Sequence, residues 1–411
     1  MVKARYRHNG FTEEAVDLLK VIDSRVAYPT VRMYLAYLAD EAGDKTGAKK
    51  YYDAALALPS DYCNMFRLET INVLEKAKEY APDNDKIYYY LGNLFYDKQP
   101  DTAMANWQKC VEINPDFALA WRNLGWGYWL HAHDLNQSAE CYRKAIQLAP
   151  DQALFLEEID QVYELKGEDV KVRYDLLKSH HQTGIKRYYP LAAEVITGTF
   201  VGDYDYVLDL LKNCYFPTRE GVANFHDIYV DALMMTAQDK VTKGKYTEAI
   251  ALFEQCFEYP DNHQVFLVDK RVPRDAQSYY FLGETCEKMG NKSKATFHYK
   301  KASAVDVKKT DYRFWQGLAL QKLGKTAEAK ALFENLLETG RKGIVENVIN
   351  FYGAEGTTGN TVASVNTKAY YTLGLGQLGL DQKSEANKSF QKSVELKRDN
   401  LWANFMEAQT Q

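Results

Sequence analysis

The stretch WRNLGWGYWLHAHDLNQSAECYRKAIQLAP, residues 121–150, decides how the rest of the chain is read. Its first half carries Trp121, Leu124, Gly125 and Tyr128, spaced three and four apart as on one face of a helix. HAHD (131–134) is a polar turn, and Tyr142, Ala145 and Pro150 mark a second helix and its stop. Four of its first nine residues are aromatic: Trp121, Trp126, Tyr128 and Trp129. Packing one helical hairpin on its neighbour accounts for two of them, so the other two are candidates for something else.

Outward from this stretch the pattern recurs. Three later segments align without gaps: SYYFLGETCEKMGNKSKATFHYKKASAV (278–305), RFWQGLALQKLGKTAEAKALFENLLE (313–338) and AYYTLGLGQLGLDQKSEANKSFQKSVEL (369–396). Each has a glycine on a first helix (Gly283, Gly317, Gly374) and an alanine twelve residues later (Ala295, Ala329, Ala386). An aromatic follows four further on: Tyr299, Phe333, Phe390. The spacing reads as a helix A whose glycine admits helix B closely, with the alanine facing that gap. The aromatic is then expected between one repeat and the next. A hairpin of this kind cannot bury its apolar face alone, so its neighbours must stack.

These residues resemble the tetratricopeptide repeat, a helix–turn–helix unit with a W-x₂-L-G-x₂-Y … A-x₃-F-x₂-A … P pattern. In 121–150 the expected alanine is Ser138 and the turn carries one extra residue; the unit before it has Gly92, Ala103, Trp107 and Cys110, with one residue missing from the turn. Residues 29–59 form an earlier unit through Leu35, Ala36, Ala48, Tyr52 and Ala55. Weaker units follow in the middle, with Ile159, Tyr163, Gly167 and Leu176, then Gly202, Val207, Leu211 and Cys214; a strong second helix comes next, with Gly244, Ala249, Phe253 and Cys256. The expected fold is all-α: an α–α superhelix of about nine helical hairpins with a C-terminal cap helix carrying Trp402 and Phe405. The expected division is an N-terminal array over 1–258, an insertion over 259–275, and C-terminal repeats over 276–411 interrupted by a Gly/Thr-rich loop at 353–367.

The opening GFTEEAVDLLKVID, residues 10–23, reads as a helix B without its helix A. An array normally starts with a covered unit. We therefore expect the C-terminal part of a longer protein, or self-association through the bare Phe11–Ile22 helix. A second resemblance, carried by FHDIYVDALMMTAQDKVTKGKYTEAIALFEQCFEYPDN (225–262), DAQSYYFLG (275–283) and AYYTLGLGQLGL (369–380), is to the repeat half of certain bacterial proteins. Those proteins carry an N-terminal β-rich, mutarotase-like domain, no part of which is in this sequence. That resemblance implies a carbohydrate-processing context and transfers no catalytic residue.

Composition narrows the function classes. A net charge of -5 without a basic run excludes a general phosphate-binding surface, so no nucleic acid is expected. No stretch approaches the roughly 20 apolar residues of a membrane span, and no signal-peptide core follows the N-terminus. The six cysteines are scattered without C-x-x-C spacing, which points to a reduced, cytoplasmic protein. Cys110, Cys214 and Cys256 take the slot where a repeat wants a small residue, so they read as packing groups. No nucleotide-binding or nucleophile motif appears, and no enzyme activity, cofactor or metal is expected. The nearest metal-like cluster, His131, His133 and Asp134, lies in a turn and lacks a second ligand group.

The resemblance implies that the concave wall is lined by the fifth, ninth and twelfth positions of each helix A. Trp126 and Trp129 fall on the ninth and twelfth. The candidate binding surface is Tyr37, Tyr89, Asn93, Tyr96, Arg122, Trp126 and Trp129, since aromatics and Arg anchor interfaces. A further aromatic set, Tyr280, Phe314 and Tyr371, takes fifth positions in the C-terminal units. Chaperone-binding members of the family grip a carboxylate with Lys, Asn, Asn, Lys and Arg. Here Asn93 and Asn123 match the amides, but Tyr89, Leu154 and Glu158 replace the cations, so that chemistry is excluded at this triplet. The expected activity is a non-enzymatic scaffold holding a protein or peptide. The alternative is an accessory carbohydrate-binding array whose aromatic wall stacks on sugar.

Overall fold

A computed structural model describes residues 12–217, 225–264, 272–348 and 361–411. The chain packs as two compact units, Met1–Val162 and Tyr163–Gln411. Among the described residues all regular structure is helical, apart from one isolated parallel bridge between Phe216 and His263.

The first unit contains α1 (Thr12–Arg25), α2 (Pro29–Glu41), α3 (Lys45–Leu56), α4 (Thr70–Tyr80), α5 (Asp85–Phe95), α6 (Pro100–Ile113), α7 (Ala118–Leu130) and α8 (Leu135–Leu148). Helix α9 (Ala153–Lys166) begins in it and ends in the second. The second unit continues with α10 (Val170–Ser179), the one-turn α11 (His181–Gly184), α12 (Tyr188–Val201), α13 (Tyr204–Asn213), α14 (Phe225–Thr242), α15 (Tyr246–Gln255) and α16 (Asp275–Lys288). It ends with α17 (Lys292–Ala304), α18 (Arg313–Lys322), α19 (Thr326–Gly343), α20 (Val362–Gly379), α21 (Lys383–Leu396) and α22 (Leu401–Thr410). The pairs α2/α3, α5/α6, α7/α8, α9/α10, α12/α13, α14/α15, α16/α17, α18/α19 and α20/α21 are nine helix–turn–helix units among the described residues. Within each unit neighbouring hairpins pack side by side; α1 and α4 stand outside the pairing in the first unit, and α22 ends the second.

The turns explain why the hairpins close where they do. Gly43, Gly167, Gly202, Gly244, Gly290 and Gly324, with His133 and Asp381, hold φ between +55° and +83°, one in each A-to-B turn except α5–α6. Glycine reaches that region without the steric cost a Cβ brings. Gly167, Gly202 and Gly244 therefore end helix A rather than pack inside the hairpin. The α5–α6 turn, one residue short, has no such residue and closes through Gln99 before Pro100. His133 and Asp134 are turn chemistry: His133 turns the chain left-handed and Asp134 caps α8 by accepting from the N–H groups of Asn136 and Gln137 at 3.0 Å. His131 sits 2.7 Å from the exposed Asp101 carboxylate.

The packing grammar differs from expectation in one respect. The helix-A glycine is covered by the aromatic of its own helix B. A Cβ added at Gly125 would lie 2.8 Å from the Tyr142 ring, at Gly283 2.6 Å from Tyr299, and at Gly317 and Gly374 2.5 Å from Phe333 and Phe390. At Gly92 it would collide with Trp107. The interval is sixteen residues in the regular units, fifteen for Gly92–Trp107 and seventeen for Gly125–Tyr142, tracking the short and long turns. Tyr142, Phe333 and Phe390 are fully buried, each contributing about 1.5–3 kcal/mol of apolar burial. The alanines at the expected slot are buried as well, and Ser138 satisfies its hydroxyl by donating to Gly125 O at 2.8 Å.

The 259–275 segment belongs to the second unit. Its first part is tied to the end of α13: Phe216 N–H donates to Asn262 O at 2.9 Å, Gln264 N–H to Phe216 O at 3.0 Å, and Asn262 Nδ2 to Cys214 O at 2.7 Å. Val265–Val268 lie outside the described residues, as do 353–360 of the expected loop. Residues 362–367 of that loop are helical: Thr361 and Ser364 form a reciprocal capping box that starts α20. Helix α22 caps α21, and its aromatic face also reaches earlier helices of the same unit. Trp402 Nε1 donates to Asp231 Oδ1 on α14 at 2.5 Å, and its ring stacks on Phe281 at 6.2 Å. The segment before it closes the unit on its first helices: Arg173 Nη1 meets Asp399 Oδ2 at 2.8 Å with both side chains 4% exposed.

Candidate functional site

Helices α5, α6, α7 and α9 bring most of the expected surface together in the first unit. Arg122 on α7 places its guanidinium 5.0 Å from the centroid of Trp126, one turn on. Glu158 on α9 holds that guanidinium in a two-oxygen grip, with Nε to Oε2 at 2.8 Å and Nη2 bonded to Oε1. Burial works against the charge of Arg122, and the hydrogen bonds and field of Glu158 more than restore it, so its pKa is raised. The residue standing in a basic slot of the carboxylate clamp is thus the anion that pins Arg122. Arg122 Nη1 also donates to Asn123 Oδ1 at 3.1 Å, Asn123 Nδ2 donates to Asn93 Oδ1 at 2.8 Å, and Trp107 Nε1 donates to the same oxygen at 3.0 Å. This polar ladder crosses the A helices of two successive hairpins.

The seven candidates separate by burial. Tyr37 and Tyr89 are 8% exposed and Trp129 6%. Tyr89 packs 4.9 Å from Phe117, and burial raises its phenol pKa. Trp129 meets Trp126 edge-on at 5.5 Å. Asn93, Tyr96, Arg122 and Trp126 are half-buried, with Tyr96 packed 5.3 Å from Trp107. The part of this set left accessible is therefore the face of Trp126 with the Arg122, Asn123 and Asn93 ladder, and the buried rings pack behind it. Glu158 and Trp107 complete the arrangement; from sequence Trp107 reads only as a packing residue of its repeat and Glu158 only as a missing cation.

The N-terminal helix α1 buries Ala15 and Leu19 and leaves Leu18, Val21 and Ile22 at least 36% exposed. Leu18 and Ile22 border an apolar cavity of about 350 Å³ with Met65 and Phe66.

In the second unit, Tyr280 and Phe314 are 8% and 2% exposed, while Tyr371 lines a cavity of about 700 Å³. Tyr312, Trp315 and Trp402 share that lining. Arg274, 4% exposed, bonds Asp227 Oδ1 at 3.2 Å and Asp231 Oδ1, and Asp231 in turn accepts from Trp402. All six cysteines are buried and free; burial pushes the thiols of Cys141 and Cys256 up to about 12. Among the described residues no group of three or more His, Cys, Asp or Glu is placed to hold a metal, and no helix is long and apolar enough to cross a membrane.

Residues 276–306 and 311–339, which hold α16/α17 and most of α18/α19, match tetratricopeptide-repeat family models. The chain carries tetratricopeptide repeats. The repeat protein is 23% identical over 190 residues to human protein O-mannosyl-transferase TMTC1, a match covering 41% of this chain and 21% of that protein. The match thus spans about a fifth of the relative's length. Among solved structures it is similar to Naa15/Naa10 bound to HypK-THB (13% identity, 93% of this chain, 60% of that one, TM-score 0.44). It is also similar to the P58(IPK) TPR domain (13%, 91% and 97%, TM-score 0.22).

Proposed function

We propose that the repeat protein is a non-enzymatic scaffold that holds an extended peptide segment of a partner protein on the A-helix face of its first unit. The reading rests on Trp126. Its indole is half-buried, backed by the edge of Trp129 and overlaid by a guanidinium that Glu158 holds in place. An aromatic ring already fixed by its neighbours loses little rotamer freedom on binding. The adjacent Asn123 and Asn93 amides supply the directional hydrogen bonding a peptide backbone needs.

A displayed random-peptide library selected on the full chain tests this. Selected peptides should carry an apolar or aromatic anchor, and Trp126→Ala should weaken their binding by roughly 30-fold, the loss of one hot-spot side chain. Tight peptides that bind Trp126→Ala and the parent equally would overturn the reading. Enrichment of oligosaccharides on a glycan array, with no peptide selected, would favour the sugar-stacking alternative.

A further inference from the structure

The second unit contains a cavity that peptide binding in the first unit does not use. Its volume of about 700 Å³ lies within the range of small-molecule sites. Tyr312, Trp315, Tyr371 and Trp402 give it aromatic walls. Two of these are held rigidly: Trp315 is 3% exposed, and Trp402 is fixed through Asp231, which the buried Arg274 clamps. The walls therefore exist before a ligand arrives.

The polar groups around the cavity point to the charge of that ligand. Lys309 and Lys368 line it, are exposed, and make no ion pair among the described residues. Asp311 is the opposing carboxyl. It accepts the Thr372 hydroxyl at 2.6 Å, and burial raises its pKa against the pull of that hydroxyl and Lys368. Arg274 adds no free cation, because Asp227 and Asp231 both hold it. Among the described residues, two ammonium groups thus face one carboxyl whose charge burial disfavours. One polar requirement is also unmet: Gln277 lines the cavity, is 1% exposed, and its Oε1 has no hydrogen-bond partner. A buried acceptor without a donor is unfavourable, and a ligand N–H or O–H would relieve it.

We propose that this cavity binds a small aromatic anion carrying a hydrogen-bond donor. The ring lies between the aromatic walls, the anionic group meets Lys309 and Lys368, and the donor reaches Gln277. The site is distinct from the Trp126 surface.

The probe is 8-anilinonaphthalene-1-sulfonate, which combines an aromatic body, a sulfonate and an N–H. Titrated into the full chain, it should fill one saturable site, take energy from tryptophan emission, and bind more weakly as salt rises. Lys309→Ala with Lys368→Ala should weaken binding about tenfold or more. Gln277→Leu should weaken it severalfold with the lysines intact. The uncharged N-phenyl-1-naphthylamine should bind about tenfold worse than the sulfonate. Phe66→Ser, at the apolar cavity of the first unit, should leave the saturable site unchanged. Both lysines are exposed, so the melting curve of the double variant should match the parent. The proposal is overturned by the absence of a saturable site, by equal affinity of the double-lysine variant, or by equal affinity of the neutral analogue. Loss of binding on Phe66→Ser would also overturn it, by placing the probe in the other unit. Loss of peptide binding at Trp126 would leave all of these readings intact.

Discussion

The glycine–aromatic interval makes a prediction whose sign reverses with context. Gly317→Ala would put a Cβ 2.5 Å from Phe333 Cε1 and 2.7 Å from its Cζ, about an ångström inside ordinary contact. Phe333 cannot swing away: it is fully buried, and Gly379 of the next hairpin also abuts its ring. Overpacking of this kind costs about 1–3 kcal/mol. Replacing a helical glycine by alanine returns up to about 1 kcal/mol. The net expectation is a loss of up to about 2 kcal/mol. In a Phe333→Leu background the two closest ring atoms are gone and Cδ1, at 3.2 Å, is the nearest that remains. There Gly317→Ala should be neutral or stabilising, giving a coupling of about 1–3 kcal/mol between the sites. Gly324→Ala is the control: at φ +78° with nothing within 4 Å, it should cost about 1–2 kcal/mol of backbone strain in both backgrounds. Urea unfolding followed by circular dichroism measures the cycle, and amide exchange in α18 and α19 localises it, since repeat arrays can melt in parts. If Gly317→Ala costs the same with and without the Phe333 ring, the ring does not fill the glycine's space and the hairpin grammar is wrong.

Other consequences can be measured in the same way. Glu158→Ala leaves the Arg122 guanidinium without its carboxylate; with that side chain 23% exposed, the loss should be about 2 kcal/mol in urea unfolding, less than a fully buried broken pair, and a blue or red shift of Trp126 emission should accompany it. His226, stacked 4.0 Å from Tyr259, is driven by burial to a pKa of about 4 from 6.5. The unfolded chain therefore takes up the proton first as pH falls, so stability is present above 6.5 and is lost between 6.5 and 4; a drop of about 2 kcal/mol after solvent screening should appear in that window and vanish in His226→Phe. Asp399 is opposed by burial, but Lys397 and Arg173 hold its carboxyl below the ordinary value. Its contribution is present above the unfolded pKa and is lost as pH falls through the folded one, and Asp399→Asn at neutral pH should raise amide exchange in α22 while leaving α16 and α17 protected.

Much of the fold was legible because the hairpin is a local object. Gly283, Ala295 and Tyr299 lie within one helix–turn–helix unit, so their spacing is recorded in consecutive residues. The same locality explains the one misassignment inside the hairpin. Spacing places an alanine and an aromatic on helix B, but which one covers the glycine depends on how far each side chain reaches. The aromatic, a turn beyond the alanine, points back over the preceding turn, as helical side chains do. Gly167, Gly202 and Gly244 were harder to place, since a glycine that ends a helix and one that admits a neighbour look alike in sequence. The helical part of 361–367 was hidden by Thr and Asn that read as loop, although Thr361 and Ser364 stand at capping-box spacing.

The candidate sites were legible in proportion to how few repeats define them. Trp126 and Trp129 occupy the same helix face, yet their burial differs because exposure is decided by the neighbouring hairpins, whose approach is absent from the local pattern. Tyr89 is buried for the same reason, with Phe117 laid against it from the start of the next hairpin. Glu158 is 36 residues from Arg122, and no rule of helix spacing connects them. The second-unit cavity is the extreme case. Gln277, Asp311, Lys368 and Trp402 come from four different hairpins or their ends, and Trp402 joins them because α22, while capping α21, also reaches Asp231 on α14, 171 residues earlier. A repeat pattern encodes what each unit shares, whereas a binding site is made of what the units do not share. Residues such as Gln277, whose buried amide oxygen has no place in the packing rule, are therefore where a binding site is to be sought in this chain.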